Sequence, residues 1–471
     1  MNRYITTTLP YVNANPHLGH ALEFIEADCF ARAARLAGDN VFFNVGTDEH
    51  GAKVARKAEE EGRDPQDYVD DYAARFRAFA DRLEISYDSF IRTTDPAHMR
   101  AAQEFWKRCE AAGDIYKAAY EIKYCVGCEL EKTESELIDG RCSLHPTLEI
   151  EIQEEENYYF RFSKYRDALL AHYAAQPNFV VPEGRRREIV ALAEAGLKDF
   201  SISRRREKMS WGVPVPGDDE HVMYVWFDAL VNYISVIGWP EDEARFNTWW
   251  PGVQFAGKDN LRQQTAMWQA MLLSAGLPLS RQILIHGNII SGGQKMSKTL
   301  GNVIDPMMIA EKYGVEALRY VLLRHASPFE DSDLTLEVIH EHYTAHLTNG
   351  LGNLVARIMK LAEDHLPHPI ARPQPAPFPQ EYRDALDAFG FNRAMDLVWA
   401  RVQAADERIT AEKPFAVVKE DAERGREMIA GLALELYTIG RLLQPFMPAT
   451  ADAIKAAVLA NKKPENLFPR L

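Results

Sequence analysis

The strongest constraint on this chain is a strand-like run, Tyr4-Ile5-Thr6-Thr7-Thr8-Leu9, that leads through Pro16-His17-Leu18-Gly19-His20 into a helix-like run from Ala21 to Ala37. A strand feeding a loop and a helix start aims unpaired backbone N–H groups and the positive helix end at one spot, which is an anion site. His17 and His20 are three apart, so both fall on one face of the first turn. Past the middle of the chain, another strand-like run, Ile283 to Ile290, and a Ser291-Gly292-Gly293 turn lead into Lys295-Met296-Ser297-Lys298-Thr299. Flanking glycines let such a loop move over phosphates. Two imidazoles and a mobile pair of lysines around one nucleotide equip an enzyme in which the α-phosphate of ATP is attacked and pyrophosphate leaves.

The rest of the chain sorts by rhythm. Up to about residue 114 strands and helices alternate, with Val41 to Val45 a strand and Ala52 to Gly62 and Tyr68 to Leu83 helices, the pattern of a parallel sheet. From 115 to 210 that rhythm breaks into short strands and turns, as expected of an insertion. It resumes near His221, with a helix around Tyr224 to Ile237, a strand Val253 to Ala256 and a helix Leu261 to Ala275. After 330 the chain reads as helical. Tyr343, Leu347, Leu351, Leu354, Ile358 and Leu361 step by three or four, as do Met428, Leu432, Leu436, Ile439, Leu443 and Phe446. Between these stripes, Pro367, Pro369, Pro373, Pro375, Pro377 and Pro379 forbid regular helix and mark an exposed connection. An antiparallel bundle follows for the C-terminal third.

Within the insertion, Cys125-Val126-Gly127-Cys128 and Cys142-Ser143-Leu144-His145 each space two donors for one ion held from a tight turn. Three thiolates and one imidazole suit tetrahedral Zn²⁺, and a set with no open position is structural. Cys29 and Cys109 have no partner by spacing and read as packed thiols. Asp48 ends the second strand at the carboxyl edge, where a carboxylate can hold a substrate ammonium or cap the helix that follows. Asn353 and Arg357 sit one helical turn apart and share a face.

A net charge of −15 argues against a broad phosphate-neutralising surface, yet a local basic stripe is enough to bind nucleic acid. Arg185-Arg186-Arg187 and Arg204-Arg205-Arg206 are candidate stripes and read equally as solvated faces. No apolar run reaches the roughly 18 residues that span a bilayer, and Met1-Asn2-Arg3 runs straight into the first strand without room for a secretion signal. Five cysteines, three of them with metal spacing, fit a reducing compartment, and the cytoplasm is expected.

Pro16 to His20 resembles the HIGH motif, and Lys295 to Thr299 the KMSKS motif, of class I aminoacyl-tRNA synthetases. Among these the chain is similar to methionyl-tRNA synthetases over nearly its whole length, through Leu9 to His20, Asp48-Glu49-His50-Gly51, Tyr224 to Ala229, Gly257-Lys258-Asp259 and Asn466 to Arg470. The resemblance implies a Rossmann-type α/β catalytic domain in two parts, 1–114 and 211–330, split by a zinc-binding insertion at 115–210. An all-α anticodon-binding bundle at 331–471 completes it. It implies methionine, ATP with Mg²⁺, and methionine tRNA, initiator and elongator, as partners. His17, His20, Lys295 and Lys298 would stabilise charge on the phosphates, with Gly19, Glu23, Gly257 and Asp259 near the adenosine.

Leu9, Tyr11, Asp48, Trp226, Ala229 and Tyr233 match the methionine pocket, where aromatics around a thioether make chemical sense. By periodicity alone Trp226, Ala229 and Tyr233 also fit the core of a helix. Asn353, Arg357 and Phe415 match anticodon readers, an amide, a guanidinium and an aromatic being enough to recognise unstacked bases. Departures fall at Leu230, Asn260 and Gln264, where such enzymes commonly carry a proline, an apolar residue and a pocket histidine. A small-molecule adenylate ligase would share the phosphate site but needs no bundle. With no appended module after the bundle, a monomer is expected.

Overall fold

Tyr4, Ile5, Thr6 and Thr7 are buried in succession, without the alternation of a half-exposed strand. The reason is their place in β1 (Asn2–Thr7), a central strand of a parallel sheet covered on both faces. The chain runs from β1 through α1 (Leu18–Leu36), β2 (Asn40–Thr47), α2 (Ala52–Glu60), α3 (Pro65–Arg82), β3 (Ser89–Arg92) and α4 (Pro96–Ala111). In this computed structural model the described residues are 1–125, 130–131, 137–142, 147–296, 303–374 and 376–471. The main sheet has the order β3, β2, β1, Val253–Gly257, Gln282–His286, Val180–Val181, and every pairing is parallel. Successive strands go outward from β1 on one side, and later ones fill the other. The reversal point lies between β1 and Val253–Gly257, and open sheets of this kind bind ligands outside the carboxyl ends there.

After α4 the chain leaves the main sheet, and within the stretch 115–210 Val180–Val181 returns to it as an edge strand. A long antiparallel pair, Ile115–Cys125 with Ile150–Phe160, carries a short pair, Leu137–Ile138 with Arg141–Cys142, near its far end. Cys125 closes the first strand and Cys142 is buried in the short pair, whereas Cys128 and His145 lie outside the described residues.

Three expected elements differ. The helix expected over Tyr224 to Ile237 is broken into Val225–Ala229 and Asn232–Ser235. Asn232 Nδ2 donates to the Ala229 carbonyl at 2.5 Å, and the Tyr233 N–H turns to Leu230 instead. A side chain has taken a carbonyl that a continuing helix needs. The strand expected over Ile283 to Ile290 also breaks, because Ile289–Ser291 leaves the main sheet and pairs with Ser332–Asp333. Gly287 makes the crossing possible: a Cβ there would meet the Glu330 carbonyl oxygen at 2.2 Å. In the expected helix Leu261 to Ala275, Gln263–Met267 forms a π-turn, with Thr265 Oγ1 bonded to the Leu261 carbonyl and Gln269 Nε2 to that of Gln264.

Helices occupy the C-terminal third, and no helix or strand interrupts the described residues of the proline stretch before Gln380. Tyr343, Leu347, Leu351, Leu354 and Ile358 are buried as one face, with Leu361 at its margin. The second stripe is likewise buried from Leu432 onward. These helices are not a detached unit. Their core continues into that of the sheet, where Phe389 packs on Phe30 of α1 and Phe255 of the strand beside β1. Helix α1 is therefore buried nearly all round, taking Glu23, Glu26 and Asp28 into the interior along with its Ala, Leu, Phe and Ile residues. Arg319, fully buried on helix Val315–His325, meets Asp28 of α1 at 2.6 Å and the Phe446 carbonyl at 2.7 Å.

Candidate active site

A cavity of about 910 Å³ opens at the reversal point of the sheet. Its wall includes Leu9, Tyr11, His17, Gly19, His20, Glu23, Asp48, Trp226, Ala229, Tyr233, Gly257, Asp259 and Gln264. Residues from four separate stretches of sequence are thus brought to one place. Lys295 ends a short strand paired through Ile290, and Lys298 lies outside the described residues.

His17 is the N-cap of α1, and its ring accepts from the Gly19 N–H at 3.1 Å. His20 Nδ1 in turn accepts from the His17 N–H at 3.2 Å. Two imidazoles thereby form the reciprocal cap usually made by a hydroxyl and a carboxylate or carboxamide. Because both Nδ1 atoms accept, each neutral ring carries its proton on Nε2. The rings stack with centroids 3.7 Å apart. Burial first, and then the neighbouring His17, hold the His20 pKa well below the ordinary histidine value. Both rings are therefore suited to donate N–H bonds at the positive end of a helix.

Asp48 is buried and fixed by its backbone, which accepts from Val12 N–H at 3.1 Å and donates to the Pro10 carbonyl at 2.9 Å. Its Oδ1 has no hydrogen-bond partner among the described residues. Burial, and next the nearby Asp228 and Glu49 carboxylates, push its pKa well above the usual carboxylate range. Asp228 is satisfied: His50 lies at 2.5 Å and His98 at 2.8 Å, and although burial opposes ionisation these two rings bring its pKa down to about 2. Gly51, at φ +113, leaves room that a Cβ would deny to the Tyr11 hydroxyl, 2.7 Å away. Deeper in the wall, Gln264 Nε2 donates to Tyr233 Oη at 2.8 Å, and Gln254 and Gln269 continue a buried network of neutral amides. Gln264 and Asp259 both line the cavity.

Glu23 accepts from Thr8 N–H at 2.7 Å and Thr8 Oγ1 at 2.6 Å, and its second oxygen meets His286 Nε2 at 3.0 Å. Burial works against a charged His286, but Glu23 outweighs it and raises the pKa to about 9. His286 lines the cavity and was missed among the sequence candidates, because the strand expected through Ile290 ends at His286 only in the structure. Arg204 was read only as part of a basic stripe; it lies over the Tyr224 ring at 4.3 Å and faces the cavity, as does Lys208. Before the lysine motif, Gly292 and Gly293 donate their N–H groups to the two oxygens of Asp333 at 2.8 and 2.7 Å.

Asn353, Arg357 and Phe415 are remote in sequence from this cavity and do not line it. Asn353 is exposed at the first turn of helix Asn353–His365, Arg357 pairs with Asp406, and Phe415 is 45% exposed.

A parallel sheet with paired imidazoles on the helix that follows its first strand is the arrangement of the class I tRNA synthetases, and the family model described as tRNA synthetases class I (M) matches residues 3–145 and 127–359. A methionine–tRNA ligase of Thermotoga maritima is 39% identical over 481 residues, spanning 98% of this chain and 76% of the relative. That of Thermosynechococcus vestitus is 45% identical over 470 residues, spanning 96% and 88%. The structure of Mycobacterium tuberculosis methionyl-tRNA synthetase in complex with methionyl-adenylate matches with a TM-score of 0.87 and 36% identity, covering 100% of this chain and 98% of that one. The chain belongs to the methionine–tRNA ligase family.

Proposed function

We propose that this protein activates methionine with ATP, giving methionyl-adenylate and pyrophosphate, and transfers the methionyl group to the 3′ end of methionine tRNA, initiator and elongator. The observation that carries this reading is one cavity holding both the imidazole-capped start of α1 and the unpartnered carboxylate oxygen of Asp48. Asp48 would bind the methionine ammonium, and Leu9, Tyr11, Trp226, Ala229, Tyr233 and Gln264 would surround the side chain. The methionine carboxylate attacks the α-phosphorus and the bond to the pyrophosphate oxygen breaks. His17 and His20 donate Nε2–H bonds to phosphate oxygens as charge develops, and Lys295 and Lys298 neutralise the departing pyrophosphate. Gly19, Glu23, Gly257 and Asp259 would adjoin the nucleotide. A ribose hydroxyl of the terminal adenosine then attacks the methionyl carbonyl, and AMP leaves.

Mg²⁺ would accompany ATP. Cys125, Cys128, Cys142 and His145 would hold a structural Zn²⁺ in the insertion; the burial of Cys142 at the hairpin end fits a thiolate donor withdrawn from water. The helical region at 331–471 would read the anticodon through Asn353, Arg357 and Phe415, following the two catalytic parts at 1–114 and 211–330 and the insertion at 115–210. A cytoplasmic monomer fits this role, and no helix among the described residues is long and apolar enough to cross a membrane.

Charging of total tRNA with labelled methionine tests the proposal. Arg357→Ala should lower charging by about tenfold or more, as loss of a base-reading contact does, while tRNA-independent pyrophosphate exchange stays near wild type. Equal losses in both assays would place Arg357 in the scaffold.

A further inference from the structure

Three imidazoles meet where the helices behind the sheet give way to the C-terminal helices. His325 ends helix Val315–His325, His342 ends helix Leu336–His342, and His346 lies one turn further in the π-helical segment Tyr343–Gly352. One ring nitrogen from each falls within 4.8 Å of the others. The His325 and His342 rings stack at 3.6 Å, and His346 stands 5.3 Å from both. We propose that these residues form a binding site for a borderline divalent transition ion of the Zn²⁺, Co²⁺ or Ni²⁺ type, which clamps the two helices together.

The chemistry follows from the donor set. Imidazole selects such ions over Mg²⁺ or Ca²⁺, and three nitrogens on half-buried rings leave positions for water. Ligation needs neutral rings. Burial first, then the proximity of the other rings and of Arg324, lowers the His325 pKa to about 3, and burial also lowers those of His342 and His346.

Tyr320 supplies the outer support. Its Oη lies 3.0 Å from His325 Nε2 and 2.7 Å from His346 Nδ1, and accepts from Arg324 at 2.7 Å. A phenol accepts two bonds and donates one. With Arg324 as one donor, one ring gives Tyr320 its N–H and frees its other nitrogen, while the second ring receives the phenol proton. That second ring becomes a ligand when it shifts tautomer and Arg324 releases the phenol, keeping its 3.0 Å bond to Asp396. Partners that orient ligating imidazoles in this way tune metal affinity.

The test uses the full chain without a polyhistidine tag, given a single equivalent of Zn²⁺, which the thiolate set takes first, then titrated with Co²⁺ by equilibrium dialysis and visible absorption. The wild type should take up one further equivalent, with cobalt d–d bands and no thiolate charge transfer. His342→Asn and His346→Asn should each weaken that equivalent at least about tenfold while methionine-dependent pyrophosphate exchange is unchanged. Absence of the further equivalent in the wild type overturns the site, as does bound cobalt showing thiolate charge transfer alone, and neither of these results depends on a variant folding. Retention of the equivalent by both folded variants also overturns it.

Discussion

Asp48 is a buried carboxylate in the cavity wall; one of its oxygens has no hydrogen-bond partner among the described residues, and its neighbours, Asp228 and Glu49, are acidic. Desolvation and like charge both favour its neutral form, so a substrate ammonium must supply what stabilises the anion. The sign follows: ligand binding lowers the Asp48 pKa and releases a proton, and methionine affinity falls as pH falls. Calorimetry in buffers of different ionisation enthalpy should show this release, and Asp48→Asn should abolish it with a loss of methionine binding of about 100-fold. An unchanged affinity in that variant would remove Asp48 from the site. Much of this wall was legible, because a carboxylate at a strand end and aromatics in a short motif are local signals. Arg204, Lys208 and His286 were harder to see, since only the folding of the insertion and the last main-sheet strand onto the cavity shows which way they face. Gln264 was legible as a departure, but its bond to Tyr233 joins residues 31 apart in sequence.

At the scale of elements, α1 was readable from its sequence alone, whereas the reciprocal capping of its start by His17 and His20 was not. The helix expected after Tyr224 fails at one carbonyl, that of Ala229, which Asn232 captures. Periodicity sees the apolar stripe and not this competition. Likewise the long strand expected through Ile290 turns away at Gly287, where a remote segment, Glu330, crosses within contact distance. The lysine motif follows a turn whose two glycine N–H groups are anchored by Asp333, so the chain enters that loop from a fixed point. If the Lys298 ammonium meets the phosphates chiefly in the transition state, Lys298→Ala should lower the adenylation rate by about 100-fold or more, with methionine affinity little changed. Rapid-quench measurement of adenylate formation checks this. Methionine binding lost in parallel with the rate would give the lysine a role in folding.

Across the whole molecule, the sheet and the C-terminal helices share a core, and Arg319 ties them through Asp28 and the carbonyls of Pro445 and Phe446. The two apolar helix stripes foretold a bundle; the continuity of its core with the sheet rests on Phe389 and Arg319, which no local pattern singles out. Arg319→Met leaves a buried carboxylate short of a partner, and urea unfolding should show a loss of about 3–5 kcal/mol. A loss under about 1 kcal/mol would mean that Arg32 and Ser86, which also contact Asp28, suffice for it. The central claim is that one cavity joins methionine to ATP. ATP–pyrophosphate exchange by the purified protein, run with each of the twenty amino acids and no tRNA, tests it most directly. Exchange should depend on methionine and should vanish in His20→Ala; exchange driven better by another amino acid, or none with any, would contradict the account.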